Sequence, residues 1–262
     1  MTTPVEDIEF LARSEHRVNA LGALAVAPQS RDNLREAIGA SNATVGRLLN
    51  EFDKRTWVKH DGHRYELTPL GAFIADGFFH LVDRFQTEHS IRDVWQWFPT
   101  DLGFTVEMFS GATVTPQDER NPYCPNRRYA HLVETSESLR EVGTIPHKEE
   151  NVRMVLERAI AGMEVELVFP GEVLTHMVSF APDLVNEALK SGNIALLIHD
   201  HLPGGFWIFD GHVGTCCRDD ETGLSRAVID TSTTEAQAHA QSLYGSYRSE
   251  ATPFDATMLV TN

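Results

Sequence analysis

The chain has 262 residues, 42% of them hydrophobic and 23% charged, and a formal net charge of −16. This balance is typical of globular proteins and excludes a wholly disordered or fibrous chain, while the length favours two domains. No apolar run reaches the roughly 18 residues that a membrane-spanning helix needs, and the first residues lack the pattern of a signal peptide. We therefore expect a cytoplasmic protein that does not contact a membrane.

The acidic residues are unevenly distributed along the chain. Up to Thr68 there are nine basic and ten acidic residues, whereas the remainder has 13 basic and 28 acidic residues. Because the chain is acidic and has only four lysines, we expect a halophilic protein that is adapted to a salt-rich cytoplasm. Within residues 41–64 the local net charge is +2. This segment is where a polyanion would bind most easily.

The first part of the chain has the pattern of three helices and a hairpin. Apolar residues recur at helical spacing over 4–26, which predicts one helix. Ser30 and Gly39 are suited to be the N-cap and C-cap of a short second helix. Ser41 is suited to cap a third helix that has one apolar and one polar face. Two strand-like runs on either side of Asp61-Gly62 predict a β-hairpin with these two residues at its turn.

This order of elements is typical of a winged helix-turn-helix. The polar face of the third helix would enter the major groove, where Asn42, Thr44 and Arg47 would contact bases. Ser41 would hold a phosphate at the helix N-terminus, and the hairpin would contact the backbone or the minor groove. Eight residues are therefore expected to bind double-stranded DNA: Ser41, Asn42, Thr44, Arg47, Lys59, His60, His63 and Arg64. The pattern alone also fits a protein-interaction module that does not contact DNA.

Thr68-Pro69 predicts the start of another helix, which continues with many aromatic residues towards Pro99 and would form a dimer seam or core.

Beyond Pro99, strands and helices alternate, which indicates an α/β domain. Strands are predicted at 104–109, 112–115, 164–169, 194–199, 206–209, 212–217 and 227–230, helices at 129–140, 149–161, 183–190 and 235–249, and a loop at 117–128. The expected fold class is thus α+β, with a winged helix-turn-helix at 1–75, a connecting helix at 76–99 and an α/β effector or dimerisation domain at 100–262.

Several segments resemble known families. The run Ser41-Asn-Ala-Thr-Val-Gly-Arg-Leu-Leu-Asn-Glu-Phe, followed by Trp57-Val and Tyr65-Glu-Leu-Thr-Pro-Leu-Gly, resembles archaeal winged-helix regulators of the arsenical-resistance and multiple-antibiotic-resistance type. The segments Ala112-Thr-Val-Thr-Pro, Asn121-Pro-Tyr-Cys-Pro-Asn-Arg-Arg-Tyr and Phe206-Trp-Ile-Phe-Asp-Gly-His-Val-Gly resemble the C-terminal domain of archaeal FilR1-type, methanogenesis-regulator-like transcription factors. The second resemblance implies a domain that senses a signal or dimerises, and it names no effector.

The sequence does not favour the hypothesis that the second domain is an enzyme. Its strands resemble the phospholipase D-like fold, whose chemistry needs His-x-Lys-x4-Asp with the histidine as nucleophile. If Asp210 is at the aspartate position, the histidine and lysine positions are occupied by Pro203 and Gly205. Neither residue can perform the reaction, so we expect no catalytic residue and no enzyme.

Histidines and cysteines in the second domain do not have the spacing of a zinc finger or ribbon. The candidates are His199, His201, His212, Cys216 and Cys217. Because the cysteine count is odd, we expect reduced thiols. Because the spacing matches no zinc site, we expect small buried cysteines and loop histidines, with no metal and no cofactor. A redox sensor at Cys124 or at the adjacent pair is disfavoured, since only Arg218 is nearby to lower the thiol pKa.

A possible small-molecule effector would bind where strand ends and loops of the α/β domain bring polar groups together. The candidate residues are Arg127, Arg128, His199 and Trp207. Taken together, the sequence predicts a transcription regulator that binds DNA as a homodimer, held by the helix after Pro69 and by the acidic domain. The alternative is a signal-binding or protein-interaction module whose winged helix does not contact DNA.

Overall fold

The computed structural model describes residues 3–118, 123–219 and 221–254. Asn121 and Pro122, which belong to one of the segments with a family resemblance, lie outside the described residues. The chain divides between Arg84 and Phe85 into two compact units. In the described part of the chain, every helix is too short or too polar to cross a lipid bilayer.

Unit 1 is a winged helix-turn-helix. Its elements are α1 (Pro4–Ala12), α2 (Glu15–Val26), β1 (Gln29–Ser30), α3 (Arg31–Ile38), α4 (Asn42–Lys54), β2 (Val58–Asp61), β3 (Arg64–Leu67) and the first part of α5 (Pro69–Ile91). The strands form an antiparallel sheet in the order β1-β3-β2. One apolar core joins all of these helices, with Leu34, Val45 and Phe52 completely buried in it.

The single helix predicted for 4–26 is wrong, because two helices form there. The chain is extended at Ser14, between α1 and α2, with φ −149°. This break places Phe10 at the end of α1 against Phe52 and Trp57, with ring centroids 6.2 Å apart in both pairs. Aromatic packing across the sequence therefore overrides the local helical periodicity.

The predicted caps of α3 and α4 are confirmed. The Ser30 hydroxyl accepts a hydrogen bond from the Asn33 N–H at 3.1 Å, and the Ser41 hydroxyl accepts one from the Thr44 N–H at 3.2 Å. Gly39 ends α3 in the left-handed region, with φ +62°. A side chain would be strained there, so glycine allows the sharp turn between the two helices.

The hairpin turn lies one residue further along the chain than predicted. Asp61 pairs with Arg64, so Gly62 and His63 form the turn instead of Asp61 and Gly62. Gly62 has φ +60° and is the first central residue, as in a type II′ turn. His63 therefore lies at the tip of the hairpin.

The start of α5 packs directly on the backbone of Trp57, the residue before the first strand of the wing. A Cβ on Gly71 would lie 1.9 Å from the Trp57 carbonyl oxygen, so only glycine fits. Thr68 caps the helix by accepting from the Gly71 N–H at 3.0 Å, and its hydroxyl donates to the Thr56 carbonyl at 2.6 Å. The wing and α5 are thus joined by backbone contacts.

Unit 2 contains the last part of α5 and an eight-stranded mixed sheet. Its further elements are β4 (Thr113–Pro116), α6 (Cys124–Thr135), β5 (Ser138–Val142), α7 (Glu149–Ile160), β6 (Glu164–Phe169), α8 (Gly171–Phe180), α9 (Pro182–Ser191), β7 (Ile194–Ile198), β8 (Phe206–Phe209), β9 (His212–Arg218), β10 (Ser225–Thr231), α10 (Thr234–Glu250) and β11 (Thr252–Pro253). The strand order is β11-β7-β6-β5-β8-β9-β10-β4, with β5, β6 and β7 parallel and the other neighbours antiparallel. One core lies on each face of this sheet.

Three predictions for this unit are wrong. The predicted strand 104–109 is a short 3-10 helix, Val106–Phe109, preceded by extended chain, and its phenylalanines at 104 and 109 are buried without a strand partner. The predicted helix 129–140 ends at Thr135, and Ser138–Val142 forms strand β5 at the centre of the sheet. The predicted loop 117–128 gives way to α6 at Cys124. Helix α8 and strand β11 were not predicted.

Candidate nucleic-acid interface

Helix α4 has one buried face and one open face. Val45, Leu48 and Leu49 hold the helix on the core, with at most 5% of each residue exposed. Asn42 and Arg47 are exposed, while Thr44 is half-buried and its side-chain oxygen lies 3.0 Å from that of Ser41. Polar groups that can bond base edges therefore project from a rigid support.

The basic residues of segment 41–64 differ in how far they are free to bind an anion. Lys54 contacts Glu51 at 2.9 Å, and Arg55 contacts Asp7 at 2.9 Å while lying 3.8 Å over the ring of Phe10. The first pair lies within α4 and the second joins the end of α4 to α1, so both side chains are less free to bind an anion. Among the described residues, Arg47 and Arg64 form no ion pair. They are the cations of this segment that remain available.

The wing, which is the hairpin of β2 and β3, carries both side chains that are paired within the protein and side chains that are exposed. Lys59 is paired across the hairpin with Glu66 at 2.5 Å, and this hydrogen bond raises the pKa of the Lys59 ammonium. His60 packs against Tyr65 with ring centroids 4.5 Å apart. His63 and Arg64 are exposed at the tip. The tip therefore offers the freer donors, and the base of the wing is engaged within the protein.

Two residues of this surface were missed in the sequence. Arg17 on α2 lies near Arg47, and burial and the charge of Arg47 lower the pKa of the Arg17 guanidinium. Asn50 is exposed three residues after Arg47 on α4. Arg17 had no local signal, because it reaches this surface from another helix. Asn50 had one, since it continues the polar face that the periodicity of α4 defines.

The effector candidates of unit 2 do not lie together. Arg128 holds the buried carboxylate of Asp230 with two hydrogen bonds, at 2.8 and 2.7 Å, whereas Arg127 is exposed on the same helix. His199 packs against the ring of Tyr247, with centroids 5.4 Å apart. Trp207 is buried in the sheet and is 4% exposed. Of these four residues, Trp207 alone lines the cavity described below.

Asp210 has a structural role at the turn between β8 and β9. Its carboxylate accepts hydrogen bonds from the N–H groups of Glu137 and Ser138, at 2.6 and 2.8 Å, and from the Ser138 hydroxyl at 2.6 Å. Partial burial opposes ionisation, but these hydrogen bonds outweigh it and lower the pKa of Asp210. The carboxylate thus joins the β8–β9 hairpin to the start of β5.

The two adjacent cysteines lie on opposite faces of β9. Cys216 packs against one core, with its sulfur 2.9 Å from the Ser225 hydroxyl, while Cys217 is buried in the other core. Burial raises the pKa of both thiols, that of Cys217 to about 12. Within the described ranges, no three histidine, cysteine or acidic side chains are grouped so as to hold a metal ion.

Comparison with known proteins assigns both units. Residues 5–90 match the model of the HVO_A0261 N-terminal domain, and residues 122–250 match that of the methanogenesis regulatory protein FilR1, middle domain. No curated protein matches the chain. The predicted fold class and the predicted resemblance of the second domain to FilR1-type regulators are confirmed, whereas the resemblance of the first domain to regulators of the arsenical-resistance and multiple-antibiotic-resistance type stays a prediction.

Two solved structures are distantly similar to the chain. TrmBL2, described as an archaeal chromatin protein, is 13% identical with a TM-score of 0.44, over 94% of this chain and 98% of that chain. Nuc, a phospholipase D family member from Salmonella typhimurium, is 14% identical with a TM-score of 0.43, over 55% of this chain and 97% of that chain. At these TM-scores neither likeness bears on function.

A winged helix followed by a regulatory α/β domain defines the class of DNA-binding transcription regulators. Within this class, the chain carries a domain that matches the FilR1 middle domain after an N-terminal domain that matches that of HVO_A0261.

Proposed function

We propose that the regulator binds double-stranded DNA with α4 in the major groove and the β2–β3 hairpin against the adjacent backbone, as a cytoplasmic homodimer. The observation that carries the proposal is Arg47, an exposed guanidinium on the open face of α4 that forms no ion pair with any described residue. In a chain with net charge −16, such a cation favours contact with a polyanion at this face.

The side chains around Arg47 suit base recognition. A guanidinium can bond guanine O6 and N7 together, and an amide such as that of Asn42 can bond adenine N6 and N7. Arg17 adds positive charge beside Arg47. At the wing, His63 and Arg64 would contact phosphates, which adds affinity without sequence information.

Fluorescence anisotropy with two labelled duplexes tests this proposal. One duplex is the region upstream of the chain's own gene, and the other is a random sequence of equal length. We expect Arg47→Ala to weaken binding to the first about 5- to 150-fold and to affect the random duplex much less. Arg64→Ala should weaken binding to both duplexes alike and reduce the dependence on salt.

Arg13→Ala is the matched control, because Arg13 is an exposed arginine of the same unit that is paired with Glu9 on α1. It should leave both affinities unchanged. Equal losses on the two duplexes from Arg47→Ala would contradict the assignment of this residue to base contact. If the unaltered chain showed no salt-dependent binding to either duplex, the interaction-module alternative would replace DNA binding.

The proposed dimer is supported by apolar side chains on the part of α5 within unit 1. Leu70, Phe73 and Leu81 are 50%, 74% and 39% exposed. Their spacing places them along one side of the helix, and burying them against a second copy would remove a large apolar area from water. A dimer would also join two recognition helices on one DNA molecule, which raises the affinity through effective concentration.

Sedimentation equilibrium tests the dimer. Phe73→Glu should shift the chain towards monomer, since it would place a carboxylate in the seam. Val26→Glu is the control, because Val26 is 86% exposed at the end of α2, on a different helix from these three side chains. A monomeric unaltered chain, or a Phe73→Glu variant as dimeric as the control, would refute this seam.

A further inference from the structure

Unit 2 contains a cavity of about 740 Å³ on one face of the sheet. Strands β5, β8, β9 and β10 contribute to it, together with α6 and the start of α7. Its walls carry aromatic rings and a few polar groups, including those of Trp97, Tyr129, His147, Trp207, Cys216 and Arg218. The volume is within the range of sites that take small organic molecules.

Two polar atoms of the lining are buried and unpaired. Trp207 Nε1 and Arg218 Nε have no hydrogen-bond partner among the described residues. Trp207 is 96% buried, because only 4% of the residue is exposed. Both nitrogens are donors only, and a buried donor without an acceptor costs about 1–3 kcal/mol. A ligand in the cavity could supply the acceptor atoms that these two donors lack.

The carboxylate at the cavity does not satisfy these donors. Glu141 is buried, accepts a hydrogen bond from the Tyr129 hydroxyl at 2.8 Å, and contacts His147 Nε2. Burial opposes protonation of His147, but the charge of Glu141 outweighs it and raises the pKa of the imidazole. Glu141 is thus occupied within its own cluster, and Arg218 forms no ion pair with any described residue.

We propose that this cavity is the effector site of the regulator and takes a small planar aromatic carboxylate. The carboxylate would accept from Arg218 and from the indole N–H of Trp207, and the ring would lie among the aromatic walls. Oxygen acceptors match the unpaired donors, and an aromatic body matches the rings of Trp97 and Tyr129. An effect of the bound carboxylate on DNA affinity rests on the function proposed above. Binding of the carboxylate to the cavity does not depend on that function.

Isothermal titration calorimetry of the full chain without DNA tests the site. The probes are benzoate and 2-naphthoate, each compared with the corresponding neutral amide. We expect at least one of the carboxylates to bind about tenfold or more tightly than its amide. Arg218→Gln should remove this preference, and Arg127→Gln, an exposed arginine outside the cavity lining, should retain it.

A second variant covers the case in which Arg218→Gln does not fold. Trp207→Phe keeps an aromatic ring and removes one of the two free donors, and it should weaken carboxylate binding about fivefold or more. The proposal is overturned if neither carboxylate binds the unaltered chain, or if both variants bind as the unaltered chain does. Carboxylate binding that depends on Arg218 but leaves DNA affinity unchanged supports the site and contradicts only its regulatory use.

Discussion

Replacing Gly71 by alanine tests how the wing is joined to α5. The new Cβ would lie 1.9 Å from the Trp57 carbonyl oxygen and 2.8 Å from its carbonyl carbon. Carbon and oxygen atoms approach to about 3.3 Å, so the start of α5 must move by about 1.4 Å. Backbone atoms cannot rotate away as a flexible side chain would.

This movement would strain three hydrogen bonds that fix the junction. They are Thr68 N–H to the Trp57 carbonyl at 2.9 Å, the Thr68 hydroxyl to the Thr56 carbonyl at 2.6 Å, and Gly71 N–H to the Thr68 hydroxyl at 3.0 Å. Overpacking costs about 1–3 kcal/mol and each lost hydrogen bond about 1 kcal/mol, while alanine in a helix regains about 1 kcal/mol over glycine. If two of the three hydrogen bonds are lost, the free energy of unfolding should fall by about 2–4 kcal/mol.

Urea unfolding followed by circular dichroism measures the change, and hydrogen exchange with mass spectrometry locates it in residues 3–84. Gly77→Ala on the same helix is the control, since a Cβ there would meet no atom within 4 Å. It should stabilise the chain by up to about 1 kcal/mol. If Gly71→Ala were as stable as Gly77→Ala, the close approach of α5 to Trp57 would be refuted.

Three further predictions concern unit 2 and the whole chain. Arg128→Ala should lower the free energy of unfolding by about 3–5 kcal/mol, because it leaves the carboxylate of Asp230, which is 1% exposed, buried without its main partner. Arg127→Ala should change the free energy of unfolding by less than about 0.5 kcal/mol in the same urea titrations. Since the folded pKa of His147 is raised, its pairing with Glu141 stabilises the fold below the unfolded pKa of about 6.5 and is lost as pH rises through the folded value. The free energy of unfolding of the unaltered chain should therefore exceed that of His147→Gln most near pH 5.5, and a difference that grew with pH would contradict this pairing. The unfolding temperature should rise between about 0.1 M and about 1 M KCl, because salt screens the repulsion of a chain with net charge −16, and a fall would disprove adaptation to salt.

Local signals made the fold of unit 1 predictable. Ser30, Gly39 and Ser41 act through hydrogen bonds and backbone angles within a few residues, so their roles can be read from the sequence. The break at Ser14 could not be predicted in this way, because it depends on the packing of Phe10 against Phe52.

The α/β half was less predictable for the same reason. Strand β5 was missed because Arg140 and Glu141 make it look like the continuation of a helix. Glu141 is tolerated in a buried strand only because Tyr129 and His147 contact its carboxylate. The cavity was also hidden, since its lining extends from Gln96 to Val228 and no spacing within one element relates those residues.

The opposite orientation of the two adjacent thiols on β9 offers a chemical reporter. Cys216 borders the cavity, while its neighbour Cys217 is completely buried in the other core. Because burial raises the pKa of the Cys216 thiol, labelling needs alkaline pH, where a maleimide small enough to enter should alkylate Cys216 faster than Cys217. The extent of labelling at Cys216 would then measure the fraction of cavities that hold a ligand. Because side chains alternate along a strand, Cys216 reports on the cavity, and Cys217 in the other core serves as the thiol for comparison.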